Sequence, residues 1–336
     1  MTTKRMEWMD TAKGIGIFLV VWGHFYASDT LKIVIYGFHM PLFLFLSGYL
    51  YKQKDIRFLP FLRKKSKHLL VPFFLFQTVT FLVVNGLSLV ASHKLYESQT
   101  ALLIHFFYLD GDVGFNTPLW FLVVLFFVEI LFYLFMRLKK GKWLVIILFC
   151  ALALLFSEQE GMRIFLGFQI VPLSWLFYYL GFKCKVWGVM INKRWHTWYV
   201  LFAMSLIYFL VVFYLNNAQI AGFRSNNIGN LFIFTIGSLL GIYTFCILCQ
   251  KIGKSALWSI FGRHSMIIMG THYFFLILFA NVWKIVTNET LTGDYPIWIT
   301  LSMTIFAFSV YYAYFQWQNI IFNKQKRGVL KSDEQN

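Results

Sequence analysis

Apolar residues run along this chain in ten long blocks, at 14–28, 31–50, 69–91, 118–136, 143–157, 164–182, 195–215, 228–249, 265–286 and 295–322. Most are long enough to cross about 30 Å of hydrocarbon as an α-helix. The first and fifth are short, and the last is long enough to tilt or to run on into a cytoplasmic extension. A further run, Ala101 to Tyr108, is too short to span and is expected at the interface. These blocks predict an all-α fold, a polytopic membrane helical bundle of about ten transmembrane helices. Residues 1–322 are expected to form one transmembrane domain, with 323–336 as a short polar cytoplasmic tail.

Composition supports the membrane reading. A chain of 336 residues that is 59% hydrophobic and 13% charged, with 40 Phe, has more apolar surface than a soluble core can hide. The charges test the span count, because one wrong span would invert the side of every later loop. With the N-terminus inside, 25 of the 30 Lys and Arg fall on the cytoplasmic side, and only Lys32, Lys94, Arg163, Arg224 and Lys284 fall outside. That asymmetry places both termini in the cytoplasm. The net charge of +16 then reads as a topology signal and an attraction to anionic membrane lipid, in preference to a nucleic-acid surface. The first block has no small-residue cleavage site, so it is expected to stay in the mature protein. Cys150, Cys184, Cys246 and Cys249 all sit in or beside apolar blocks, where thiols behave as small hydrophobes. Cys246 and Cys249 have the spacing of a redox or metal pair, but no second Cys or His pair accompanies them, so no metal site is expected.

Few ionisable residues lie inside the blocks, which singles those few out. Ten residues separate Lys13 from His24. On a helix the eleven steps turn through about three revolutions and rise roughly 16 Å, so both side chains share a face, the ammonium at the membrane edge and the imidazole near mid-bilayer. Asp10 lies one turn before Lys13, where it can pair with the lysine or stabilise the helix N-terminus. His39 falls near the middle of the second block, and Pro41 frees backbone groups there, which suits a cavity wall. Ser47 and Gly48 read as a close helix contact. Glu129 is the acidic residue deep inside a block and needs a partner or a proton, and His272 lies within the ninth block. The basic run from Arg63 to Lys67 serves topology or docks an anion.

Taken in order, Asp10-Thr-Ala-Lys13-Gly14, Val-Val-Trp-Gly-His24, Phe38 to Tyr49, Lys64-Lys65-Ser66-Lys67-His68 before Pro72, Leu119-Trp120-Phe121-Leu122 and Ser265 to His272 resemble the acyltransferase-3 family of integral membrane O-acyltransferases. The stand-alone branch similar to fucose 4-O-acetylase is the nearest match. The resemblance implies transfer of an acyl group, acetyl first, from cytoplasmic acyl-CoA to a hydroxyl of a cell-envelope or exported polysaccharide, with the protein in the inner (plasma) membrane. It makes His24 the expected catalytic base, since His has the pKa for that work. Lys13, supported by Asp10, and the cluster with Arg63 and Lys67 are the expected donor-binding residues. The family often shows arginines before the proline, whereas this chain has Lys67 and His68. His39, Glu129 and His272 are the acceptor-binding candidates. No bound cofactor is implied beyond acyl-CoA as donor substrate, and the expected partners are that donor, a glycan or lipid-linked saccharide, and membrane lipid, with no nucleic acid. Intramembrane His and Glu also mark proton relays, so a secondary transporter or flippase for a glycan or lipid-linked sugar is the alternative, and a non-catalytic membrane subunit is a third reading.

Overall fold

The computed structural model describes residues 6–53, 55–191, 196–291 and 295–333, without side chains for Ala91 and for residues from 322 onward. Lys4, Arg5, Lys54, Lys193 and Arg194 of the charge tally lie outside the described residues, as do the side chains of Lys324, Lys326, Arg327 and Lys331. All ten blocks form helix, and among the described residues there is no named strand. Among the described residues, eight helical stretches are long and apolar enough to span: Asp29–Tyr49, Phe58–Val90, Thr117–Arg137, Phe165–Val186, Trp198–Leu215, Leu231–Ile252, Ser265–Thr287 and Ile297–Ile321. The other two blocks are the first and fifth. The first, α1 (Glu7–His24), carries Glu7, Asp10 and Lys13 within its 18 residues, and the fifth is a helix of only 16 residues, Lys142–Ser157. The chain is a polytopic helical membrane protein.

Two compact units partition the chain, residues 1–28 with 252–336, and residues 29–251. In the first, α1 crosses a short helix (Ala256–Arg263) that runs into a long one (Ser265–Thr287), and the last helix is Ile297–Asp333. The crossing is tight because glycine faces backbone on both sides. A Cβ on Gly14 would lie 2.0 Å from the Trp258 carbonyl oxygen, and one on Gly262 would lie 1.9 Å from that of Asp10. Thr11 Oγ1 donates to the Gly253 carbonyl at 2.8 Å, and Trp22 Nε1 donates to Thr300 Oγ1 at 3.0 Å. These contacts fix the height and rotation of α1, and with them the position of His24.

In the second unit the block expected at 31–50 is broken. It forms α2 (Asp29–Tyr36) and α3 (His39–Tyr49), with Gly37 and Phe38 between. Pro41 therefore sits in the first turn of α3, where a missing N–H is tolerated. Irregular backbone in a membrane must be satisfied by protein, and here it is. Tyr208 Oη donates to the Val34 carbonyl, Ser238 Oγ to that of Gly37 at 2.6 Å, and His39 Nδ1 to that of Ile35 at 3.0 Å. The helix expected from 69 starts earlier, as α4 (Phe58–Lys65), a π turn (Ser66–Leu70) and α5 (Val71–Ser92). The wide turn comes just before Pro72, whose ring would clash with a regular i−4 carbonyl. The interfacial run forms α6 (Gln99–Phe106), and α7 (Trp120–Arg137), α8 (Lys142–Ser157), α9 (Val171–Val186), α10 (Trp198–Leu210) and α11 (Leu231–Ile252) follow.

α3 and α9 repeat the glycine device. A Cβ on Gly48 would lie 1.9 Å from the Tyr178 carbonyl oxygen, and one on Gly181 would lie 2.0 Å from that of Phe45. Backbone cannot move aside as a side chain can, so Gly48→Ala is expected to destabilise the protein by about 1–3 kcal/mol or more. Among the described residues Ser47 Oγ bonds its own helix, to the Phe43 carbonyl at 2.8 Å, so Ser47→Ala is the mild control. Thermal unfolding of the two variants in detergent checks this. Equal midpoints would remove Gly48 as the contact residue.

Candidate active site

His24 closes α1, and His272 projects from the helix that runs from Ser265 to Thr287, which we number α13 after the short α12 (Ala256–Arg263). The two imidazoles meet in the first unit, with His272 Nε2 3.2 Å from His24 Nδ1. Their rings are 5.2 Å apart and inclined by 25°, and the edge of Tyr273 meets His24 at 5.6 Å. His272 is fully buried, and its Nδ1 lies 3.0 Å from the Ile268 carbonyl and 2.9 Å from the Met269 carbonyl. Carbonyl oxygens only accept, so Nδ1 of His272 carries the hydrogen. In the neutral ring Nε2 is then an acceptor, and it takes the Nδ1–H of His24. That pattern sets the basic lone pair of the half-buried His24 on Nε2. A proton accepted there leaves the Nδ1–H···Nε2 bond to His272 in place, which is the geometry of a base oriented by a second group.

Lys13 stands about three turns back along α1 and Asp10 about four, both half-buried and next to the contact that Gly14 makes with α12. The other expected site residues belong to the second unit. His39 is buried, with Nδ1 on the Ile35 carbonyl and its ring 4.8 Å from that of Tyr36. Glu129, on α7, is 8% exposed, and Lys65 Nζ lies 2.6 Å from its Oε2. The basic run is thereby divided. Lys65 turns in to Glu129 and stands 5.6 Å from the ring centroid of Phe61, whereas Arg63 and Lys67 are exposed. Lys65 is the residue that sequence reasoning passed over. The lone acid inside α7 signalled that a cation was needed, but not which of the neighbouring cations would supply it.

Asp112, in the segment between α6 and α7, is the acid of a second charged cluster in this unit. It accepts from Arg224 at 2.8 Å and from Arg163, so it ties three connecting segments together. Burial pushes its carboxyl up, but Arg224 and then Arg163 outweigh burial and hold it below the ordinary carboxylate range. The tie is thus complete at neutral pH and is lost only as pH falls through that depressed value.

The sequence profile of a family described as an acyltransferase domain matches residues 6–316, nearly the whole chain. The chain belongs to that acyltransferase-3 family. None of the curated proteins compared with it matches. The match spans both units and takes in Lys13, His24, Glu129 and His272. With eight apolar helices of spanning length, this acyltransferase is a multi-pass membrane protein.

Proposed function

We propose that this acyltransferase moves an acetyl group from cytoplasmic acetyl-CoA to a hydroxyl of a cell-envelope or exported glycan, with His24 as general base, as in the fucose 4-O-acetylase-like branch. The hydrogen bond between His24 and His272 is the observation that carries the reading. His24 Nε2 takes the proton as the sugar oxygen attacks the thioester carbonyl, the C–S bond breaks, and the proton passes to the departing thiolate to give CoA-SH. His272 supports His24, Glu129 partners Lys65, and His39 is the candidate left for the acceptor. The basic bias favours a protein of the inner (plasma) membrane with both ends in the cytoplasm, so the donor would approach from the Lys13 end of α1. The family match favours catalysis over transport.

Mass spectrometry of envelope glycans from cells with and without the protein should show acetyl esters only in its presence. In nanodiscs, Lys13→Ala is expected to raise KM for acetyl-CoA or to lower turnover, and Lys13→Arg to retain activity, because a point charge for phosphate is what the site asks of Lys13. Unchanged donor kinetics in Lys13→Ala, or full turnover with acetyl-CoA supplied only from the opposite side, would defeat the donor route.

A further inference from the structure

A cavity of about 220 Å³ in the second unit is lined by Tyr51, Gln53, Asp55, Tyr133, Met136 and Arg137. It lies where α3 and α7 end, and the basic bias puts those ends on the cytoplasmic side. Lysines that serve topology alone would spread into solvent. Arg137 instead is held in place at the cavity wall. It donates to the Ile56 carbonyl at 2.6 Å, its guanidinium lies 5.1 Å from the ring centroid of Tyr133, and Tyr133 Oη donates to the same Ile56 carbonyl at 2.6 Å. A second cation is anchored to the lining, with Lys185 Nζ donating to the Tyr51 carbonyl at 2.8 Å. Asp55 is the acid of the lining, 3.2 Å from Arg137, but its side chain is 99% exposed. An ion pair so open to water is worth little, and a doubly charged anion with several oxygens can displace it.

We infer that this cavity is a binding site for a phosphate ester, seated on Arg137, with Lys185, bonded to the Tyr51 carbonyl beside the lining, adding positive charge, and with the Gln53 amide and the tyrosines around its organic part. The guanidinium is already oriented, so binding costs little in side-chain order. The volume is below the roughly 300–1,000 Å³ of pockets that enclose a drug-sized ligand, so the site takes a headgroup or one end of a larger molecule. Two sources have that chemistry, the nucleotide phosphates of the acyl donor and the headgroup of an anionic lipid. The first rests on the function proposed above, and the second does not.

Calorimetry on the full-length protein in phosphatidylcholine nanodiscs, with adenosine 3′,5′-bisphosphate as probe and adenosine as control, reads the first source. Native mass spectrometry of protein exchanged into mixed phosphatidylglycerol and phosphatidylcholine reads the second. Arg137→Gln should weaken whichever ligand binds by about tenfold or more, the scale of a charge-assisted hydrogen bond. Arg137→Lys should recover part of the loss, and Lys185→Gln should show a smaller one. Bisphosphate binding that adenosine does not match assigns the site to a nucleotide. Retention of phosphatidylglycerol without bisphosphate binding assigns it to lipid. Should Arg137→Gln not fold, Lys185→Gln and Arg137→Lys carry the test. The inference is overturned if neither ligand binds, or if these variants bind both as the wild type does. No acyl group or acceptor is present in either measurement, so the result stands apart from whether His24 catalyses transfer.

Discussion

His24→Ala is expected to lower acyl transfer by about 10² to 10⁴ while leaving folded protein in the membrane, since that is the usual worth of a positioned general base. His272 should matter through His24. His272→Leu removes the acceptor for the Nδ1–H of His24, so the imidazole loses both its orientation and its fixed tautomer, and turnover should fall toward that of His24→Ala. His272→Gln offers an amide oxygen to the same N–H and should retain more activity than the leucine variant. The double variant His24→Ala/His272→Leu should be no worse than His24→Ala alone, because residues that act as a unit are not additive. A purely structural His272 would lower the amount of folded enzyme without moving the pH–rate profile, whereas a positioning His272 shifts the acidic limb, where protonation of His24 removes the base. Turnover in nanodiscs across pH, normalised to folded protein, decides this. Near-normal acylation by a well-folded His24→Ala would reject the base outright.

The helical blocks could be read in the sequence because hydrocarbon imposes a minimum apolar length, and that constraint is local. Even the two weaker blocks, the first and the fifth, were visible as weak through their shortness. The break at Gly37 and Phe38 could not be read. It stands only because Tyr208 and Ser238, distant in the chain, satisfy the carbonyls it frees. His24 stood out as an ionisable group inside a block, and His272 likewise, but their meeting across 248 residues depends on the glycine contact that holds α1 against α12. Pattern locates such groups on a face of one helix, and packing decides which faces meet.

The Lys65–Glu129 pair leads to the second large effect, and its two halves should not behave alike. Removing one member of a buried ion pair commonly costs about 3–5 kcal/mol, because the partner's charge is left uncompensated. Glu129 is the deeper member, its side chain 10% exposed against 25% for Lys65. Lys65→Met therefore leaves a carboxylate inside the bundle with its cation gone, and a loss of about 3 kcal/mol is expected. Glu129→Leu leaves a lysine at the junction of α4 with the π turn, long enough to carry its ammonium out to water, so the loss should be smaller. Combining Lys65→Met with Glu129→Leu replaces the pair by apolar side chains of similar size and should be more stable than Lys65→Met alone, since the orphaned charge is gone. Denaturant unfolding of the three variants in detergent orders them. If Glu129→Leu proves the costlier single change, or if the double variant is no better than Lys65→Met, then desolvation of Glu129 is not what Lys65 offsets, and the pair is held together by the packing of α4 on α7 instead.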